Sequence, residues 1–264
     1  MQETLLDQLK TVGWCVVENV IPADQIAGVR DSVVATVAKH RNPNAPKNIG
    51  HLSGLINYDQ SFAPYLAHSP LLALLEGLLG PGVRISFTTA TINEPGNARG
   101  EWHADWPFNQ RNAGHLPAPY PDLCMHLTTI WMLSDFSAET GGTLLVPSTH
   151  RLSHNPTGDN EVDPYQSFPE EVNAAGAAGS VLVMDSRLWH ATAPNTSSEP
   201  RVAIVIRYAP WWLDLSVLRP ESRSRARRQA LTGKGDNQVP PVPLAVYERL
   251  PETAKPLYDH WVEV

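Results

Sequence analysis

The chain has 264 residues, 42% of them hydrophobic, and a formal net charge of −7. That length supports a full hydrophobic core, and the acidic balance argues against bulk affinity for nucleic acid or anionic membranes. The two cysteines, Cys15 and Cys124, each sit in an apolar run. They read as buried free thiols in a reducing compartment. The opening MQETLLDQLK is acidic and lacks the apolar stretch of a signal peptide, and nothing approaches the ~18 apolar residues of a membrane span. The expectation is therefore a cytoplasmic protein with no nucleic-acid or membrane partner. Oligomeric state is not addressed by the sequence.

In chain order, LLDQLKTVG at 5–13 predicts a short amphipathic helix stopped by Gly13, and WCVVENV at 14–20 predicts a strand. A helix follows IPADQ and runs to His40, with Ile26, Val29, Val33, Val34 and Val37 on one face. Positions 41–60 are loop-rich. SPLLALLEGLLG at 69–80 predicts a helix with a serine cap and a glycine stop. The character then changes. VRISFTTATI (83–92), GEWHAD (100–105), CMHLTTIWML (124–133), TLLVP (143–147), SVLVMD (180–185) and RVAIVIRYA (201–209) are short strand candidates, rich in β-branched and aromatic residues. Twenty-four prolines favour strands joined by shaped loops over an all-helical chain. No GxGxxG or phosphate-binding loop is present. The pattern fits a mainly β protein with flanking helices, its core a β-sandwich or jelly-roll barrel with the N-terminal helices on one sheet. One domain over 1–264 is expected: N-terminal helices over 1–80, a core over 81–210 and a C-terminal extension over 211–264. Within that extension the basic run RSRARR at 223–228 reads as a short helix, a solvated face or lid segment, and the proline-rich end wraps the body.

Residues 100–108 read GEWHADWPF. In an extended backbone His103 and Asp105 point the same way, either as a surface pair or as part of a metal site. His190, in DSRLWHATAPN after the strand VLVMD, is the best third ligand. Two imidazoles and one carboxylate occupy one face of an octahedral metal and leave three positions open, as non-haem Fe(II) oxygenases require. A closed four-ligand zinc site offers no such opening. Arg201 stands eleven residues beyond His190. Its guanidinium can take a carboxylate bidentately, as a metal-chelating 2-oxo acid with a distal carboxylate would need, and the Thr192 hydroxyl can add to that contact.

The segments WHADWPF at 102–108, ETGGTLLVPSTHR at 139–151 and WHATAPNTSSEPR at 189–201 resemble the phytanoyl-CoA dioxygenase family of Fe(II)/2-oxoglutarate-dependent oxygenases, over residues 10–210. The resemblance implies a double-stranded β-helix (cupin-like) fold and an enzyme that uses Fe(II), 2-oxoglutarate and O2. Such an enzyme oxidises an unactivated C–H bond of a small-molecule metabolite, by hydroxylation in the first instance, and releases succinate and CO2. It implies that His103, Asp105 and His190 are both catalytic and metal-binding, that Arg201 and Thr192 hold the 2-oxoglutarate carboxylate, and that Trp131 lines the cosubstrate pocket. Asp105 supplies an anionic ligand that a halogenase would have vacated. A lysine that some members direct at 2-oxoglutarate has Lys47 as its possible counterpart, and Glu94 stands where a lysine often follows the strand end. No platform for coenzyme A is evident, and 109–121 is expected to be a substrate-facing loop. The alternatives are a divalent-metal hydrolase or isomerase on the same barrel, or a non-catalytic metal-binding module.

Several residues remain outside that set. The period of two places Arg201, Ala203, Val205 and Arg207 on one face of their strand, so Arg207 points inward and needs a partner: Asp135, Glu139 or a substrate anion. His51, His115, His126 and His154 are expected to be structural or exposed, and His150 to cap backbone. Asp185 and Arg187 are expected to pair. Phe108, Tyr208, Trp211 and Trp212 form an aromatic rim or pack the tail, and the tryptophans suggest a hydrophobic or amphipathic metabolite as substrate.

Overall fold

The computed structural model describes residues 2–41, 48–106, 118–157, 162–233 and 238–263. The strands are β1 Trp14–Val17, β2 Ile49–Ser53, β3 Arg84–Asn93, β4 Leu127–Met132, β5 Thr143–Leu145, β6 Val172–Ala174, β7 Val181–Asp185, β8 His190–Thr192 and β9 Arg201–Ala209. Among the described residues the helices of four or more residues are α1 Gln2–Val12, α2 Ala23–His40, α3 Ser69–Leu79, α4 Arg223–Thr232 and α5 Leu244–Tyr247. Two antiparallel sheets face each other. The larger has the order β1-β7-β4-β9-β3-β2, and the smaller β6-β5-β8.

Strand alternation divides the large sheet into two faces. Trp131, Val181, Val183, Val202, Ile204 and Ile206 face outward and join one core with Val29, Val33 and Val37 of α2 and Leu71, Leu74 and Leu75 of α3. Ile130, Met132, Leu182, Met184 and Ala203 face inward, where they meet Leu145 and Leu188 of the small-sheet side. The helices thus cover the outer face, as expected, and leave the space between the sheets for a cavity. The C-terminal extension joins the outer core through Val239, Val242, Val246, Leu250, Leu257 and Trp261, and Val242 bridges Val262.

The sequence expectations are modified in four places. The loop-rich stretch 41–60 contains β2, which pairs along β3 from Ile49↔Asn93 to Ser53↔Thr89. GEWHAD is not a full strand: among the described residues its only bridge joins His103 to His190, although Gly100 N–H also reaches the Thr192 carbonyl at 2.9 Å. Helix α3 is preceded by His68 and has no side-chain cap; Ser69 is already its first helical residue. The basic run does form α4, but it is not wholly solvated, because Arg225 and Arg228 are buried. Lys47, Phe108, His115 and most of the 109–121 segment lie outside the described residues.

Candidate metal and cosubstrate site

His190 opens β8 at the inner end of the small sheet, and the bridge to His103 carries the 100–105 segment alongside it. The backbones of Asp105 and Trp106 both donate to the Ser186 carbonyl, at 2.7 and 3.0 Å. This fixes the turn that places Asp105 beside His190. The ring centroids of His103 and His190 are 4.1 Å apart. One ligand atom from each of His103, Asp105 and His190 lies within 4.8 Å of the other two.

Second contacts decide which atoms face inward. Nδ1 of His103 is 3.0 Å from the Glu101 carbonyl and Nδ1 of His190 is 2.8 Å from the Leu188 carbonyl. A carbonyl only accepts, so each Nδ1 carries the proton and each Nε2 keeps its lone pair. Burial, then the neighbouring His103, push the His190 pKa down to about 4, against the opposing pull of Asp105. His190 is therefore neutral at pH 7. Its Nε2 lies 3.6 Å from Asp105 Oδ2, so two electron-rich atoms are turned toward each other. That arrangement is repulsive without a cation between them, and it fits a metal ion.

Asp105 is buried, which by itself raises a carboxyl pKa. The Arg207 guanidinium, the two imidazoles and the Thr128 hydroxyl outweigh that effect and hold it well below the usual carboxylate range. Arg207 Nη2 donates to Oδ1 at 2.6 Å and Thr128 Oγ1 donates to Oδ2 at 2.9 Å. The partner of Arg207 is thus Asp105, not Asp135 or Glu139. Those two belong to the turns flanking the sheets, where the Asp135 carboxylate accepts from Ala178 N–H and the Glu139 carbonyl from Thr196 N–H.

The three residues line a cavity of about 370 Å³ between the sheets, together with Arg201, Thr192 and Arg207. Arg201 is buried, and desolvation lowers its pKa to about 10. Its Nε donates to the Gly141 carbonyl at 2.9 Å, and its guanidinium carbon sits 4.6 Å from the centroid of the Phe136 ring. Among the described residues it makes no ion pair. Gly141 has φ +78°, and a Cβ there would stand 2.4 Å from Asn93 Nδ2. The GG turn of ETGGTLLVP therefore needs glycine so that its carbonyl can reach Arg201.

Trp131 is not in this cavity. Thr128 and Ile130 line it, so the period of two sends Trp131 to the opposite face, fully buried in the outer core, where Nε1 donates to Thr129 Oγ1 at 2.9 Å. None of the lining residues described is a tryptophan. Trp211 and Trp212 are exposed on the C-terminal extension, and Tyr208 is buried in the outer core. His51 is exposed, as expected, and it also lines the cavity from β2, with Ser53 beside it and Gln238 from the extension. The alternation of His51 and Ser53 along the unpredicted strand β2 was the missed signal. His126 is structural: its ring bridges Ser186 Oγ at 2.7 Å and Ser86 Oγ at 2.8 Å, and burial, then Arg207, push its pKa down to about 3. His150 sits 3.2 Å from the Lys10 carbonyl, and Arg187 pairs with Asp185 at 3.0 Å, both as expected.

The sequence matches the family model described as Phytanoyl-CoA dioxygenase (PhyH) over residues 9–203. The chain belongs to the phytanoyl-CoA dioxygenase family. It is 26% identical to an uncharacterized protein of Mycobacterium tuberculosis over 212 residues, 75% of this chain and 71% of that one. It is 29% identical to Dioxygenase af480 of Aspergillus fumigatus over 168 residues, 63% of this chain and 50% of that one. Among solved structures, HygX from Streptomyces hygroscopicus with nickel and 2-oxoglutarate bound superposes with a TM-score of 0.64 at 17% identity, covering 81% of this chain and 89% of HygX. The epimerase SnoN, in complex with Fe3+, alpha ketoglutarate and nogalamycin RO, gives a TM-score of 0.62 at 21% identity, covering 79% and 83%. These likenesses bear on the fold: the two facing sheets are the cupin-like jelly roll expected of the family. Membership of a dioxygenase family makes this chain an oxygenase-type enzyme. Among the described residues, no helix is long and apolar enough to cross a membrane.

Proposed function

We propose that this member of the phytanoyl-CoA dioxygenase family is an Fe(II)/2-oxoglutarate-dependent oxygenase in which His103, Asp105 and His190 hold the iron. One observation carries the assignment: both histidines commit Nδ1 to a backbone carbonyl, and their remaining nitrogens converge with Asp105 on one point. Three protein ligands leave the open coordination positions that a chelating cosubstrate and oxygen both require. Arg201 holds the distal carboxylate of 2-oxoglutarate, because a buried guanidinium without an anion is costly and the cavity admits one. Thr192, on the same wall, adds a hydroxyl donor. When bound, iron and 2-oxoglutarate supply the oxidising chemistry, with O2 consumed and succinate and CO2 released.

The primary substrate is a small molecule that enters the same cavity. The lining described here carries His51, Ser53, Thr89 and Gln238 in place of tryptophans, which supports a hydrogen-bonding metabolite over a purely apolar one. Hydroxylation is the proposed outcome. Residues 1–264 are proposed to act as one unit, since the C-terminal extension both joins the outer core and brings Gln238 to the cavity. A cytoplasmic location is proposed on the unpaired state of Cys15 and Cys124.

The test is succinate release under air from metal-free protein supplied with Fe(II) and 2-oxoglutarate. Slow turnover without primary substrate, dependent on both additions, supports the assignment. Absence of succinate, together with absence of 2-oxoglutarate binding to the Co(II)-loaded protein, overturns it.

A further inference from the structure

Asp105 is held from two sides. Arg207 Nη2 donates to Oδ1 at 2.6 Å while its guanidinium carbon rests 4.6 Å from the centroid of the Phe87 ring, which fixes the fork in orientation. On the other oxygen, Thr128 Oγ1 donates to Oδ2 at 2.9 Å. Thr128 is the end of a buried chain: its Oγ1 lies 2.8 Å from Ser186 Oγ, which lies 2.7 Å from His126 Nδ1, and His126 Nε2 lies 2.8 Å from Ser86 Oγ. Since Thr128 can only donate to the carboxylate, Ser186 must donate to Thr128. His126 Nδ1–H then donates to Ser186, and Ser86 donates to His126 Nε2. The His126, Ser186 and Thr128 protons are thus directed toward Asp105, and Ser86 Oγ also lies 3.2 Å from the Arg207 carbonyl. The chain crosses from β3 to the turn after β7 and to β4, so it ties three parts of the large sheet to one carboxylate.

We propose that Arg207, with this Ser86–His126–Ser186–Thr128 chain, positions Asp105 for single-point coordination: Arg207 withholds Oδ1 from the metal, and Thr128 aims the remaining lone pair of Oδ2 at the side where His190 stands. A carboxylate free to rotate can chelate through both oxygens and fill a coordination position that the cosubstrate needs. Arg207 is thus a positioning residue that keeps the open face of the metal open. It acts through Asp105, in contrast to Arg201, which makes no contact with the three ligands. The inference rests on the metal-site assignment made above.

The test compares wild type with Arg207→Gln, Arg207→Lys and Thr128→Val, each checked for folding by circular dichroism. Each protein is stripped of metal and loaded with Co(II), whose visible absorption reports coordination number, and 2-oxoglutarate binding is then titrated on the loaded protein. Expected for Arg207→Gln is an altered Co(II) spectrum, a Co(II) affinity lower by on the order of 10- to 100-fold, the usual effect of removing an outer partner of a metal ligand, and weaker 2-oxoglutarate binding although Arg201 is intact. Arg207→Lys restores part of each, and Thr128→Val shifts the spectrum in the same direction by less. If Arg207→Gln and Thr128→Val keep the wild-type spectrum and affinities, the positioning role is wrong. If any Arg207 variant fails to fold, the Thr128→Val comparison decides alone. Wild-type protein that binds Co(II) but not 2-oxoglutarate overturns the oxygenase assignment and leaves the Co(II) spectra of the variants to judge the role of Arg207. Wild-type protein that binds no Co(II) overturns both.

Discussion

Arg201 and Arg207 stand on the same face of β9 and line the same cavity, yet their surroundings differ. Arg207 meets a buried carboxylate at 2.6 Å, so its charge is answered within the fold. Arg201 meets one backbone carbonyl and an aromatic face, and burial lowers its pKa to about 10. A buried cation without an anion costs stability. It persists where a ligand supplies the missing charge, so under the proposed function Arg201 marks the binding end of the cavity and Arg207 the end beside the proposed metal ligands.

The largest test of this contrast removes the centre they flank. His103→Ala should abolish both metal binding at the site and iron-dependent succinate release, measured on metal-stripped, reloaded protein. Activity that survives this change would move the metal elsewhere. Next, Arg201→Met should raise the KM for 2-oxoglutarate roughly 10- to 100-fold, the range of a lost hydrogen bond to a charged group, while leaving the Co(II) spectrum unchanged. The same variant should not lower the melting temperature of ligand-free protein, because it removes a buried cation that no anion neutralises. Arg207→Met should lower it, since the buried Asp105 carboxylate keeps only the Thr128 hydroxyl and loses its cationic partner, at a cost on the order of 3 kcal/mol. Equal melting temperatures for the two variants would end the comparison.

The titratable groups give a test with a definite sign. In the metal-free protein burial holds His126 at about 3 and His190 and His260 at about 4. The unfolded chain takes up these protons near pH 6.5, so below that point it binds more protons than the native state. Stability then falls with decreasing pH from about 6.5 down toward the folded-state values. The depressed Asp105 acts separately: its contribution is present above the ordinary carboxylate pKa and is lost only in stronger acid. Urea midpoints measured from pH 7.5 to 5 should show the first decline, and His126→Gln should flatten it. A flat wild-type profile across that window would contradict the buried neutral state. The smallest effect belongs to Trp131→Phe. It removes one hydrogen bond to Thr129 and costs about 1 kcal/mol of stability, with no change in the KM for 2-oxoglutarate. A changed KM would return Trp131 to the cosubstrate wall.

Local patterns were the most legible part of the chain. The ranges of β9 and α2 follow from alternation in RVAIVIRYA and from the spaced valines at 29, 33 and 37. The same alternation correctly turned both Arg201 and Arg207 inward. The resemblance, not the alternation, misplaced Trp131: likeness to a motif locates a residue in the chain, whereas the face it takes is set by the register of β4 against β9, Trp131↔Ile204. Alternation failed for β2 because IGHLS lacks the apolar pattern of a strand. That strand exists because β3 offers it an edge to pair with.

By itself the amino-acid sequence determined the candidate ligand set that the proposal uses, since an imidazole–x–carboxylate pair, a later histidine and an arginine at the head of the next strand can be read without coordinates. It also determined which segments extend and which coil, because those depend on side chains close together in the chain. Only the tertiary structure decided that Arg207 answers Asp105, that Arg201 is left without an anion, and that His51 and Gln238 reach the cavity. Each of these depends on residues brought together by sheet pairing across long stretches of chain, and the partner of a buried charge is set by proximity in space.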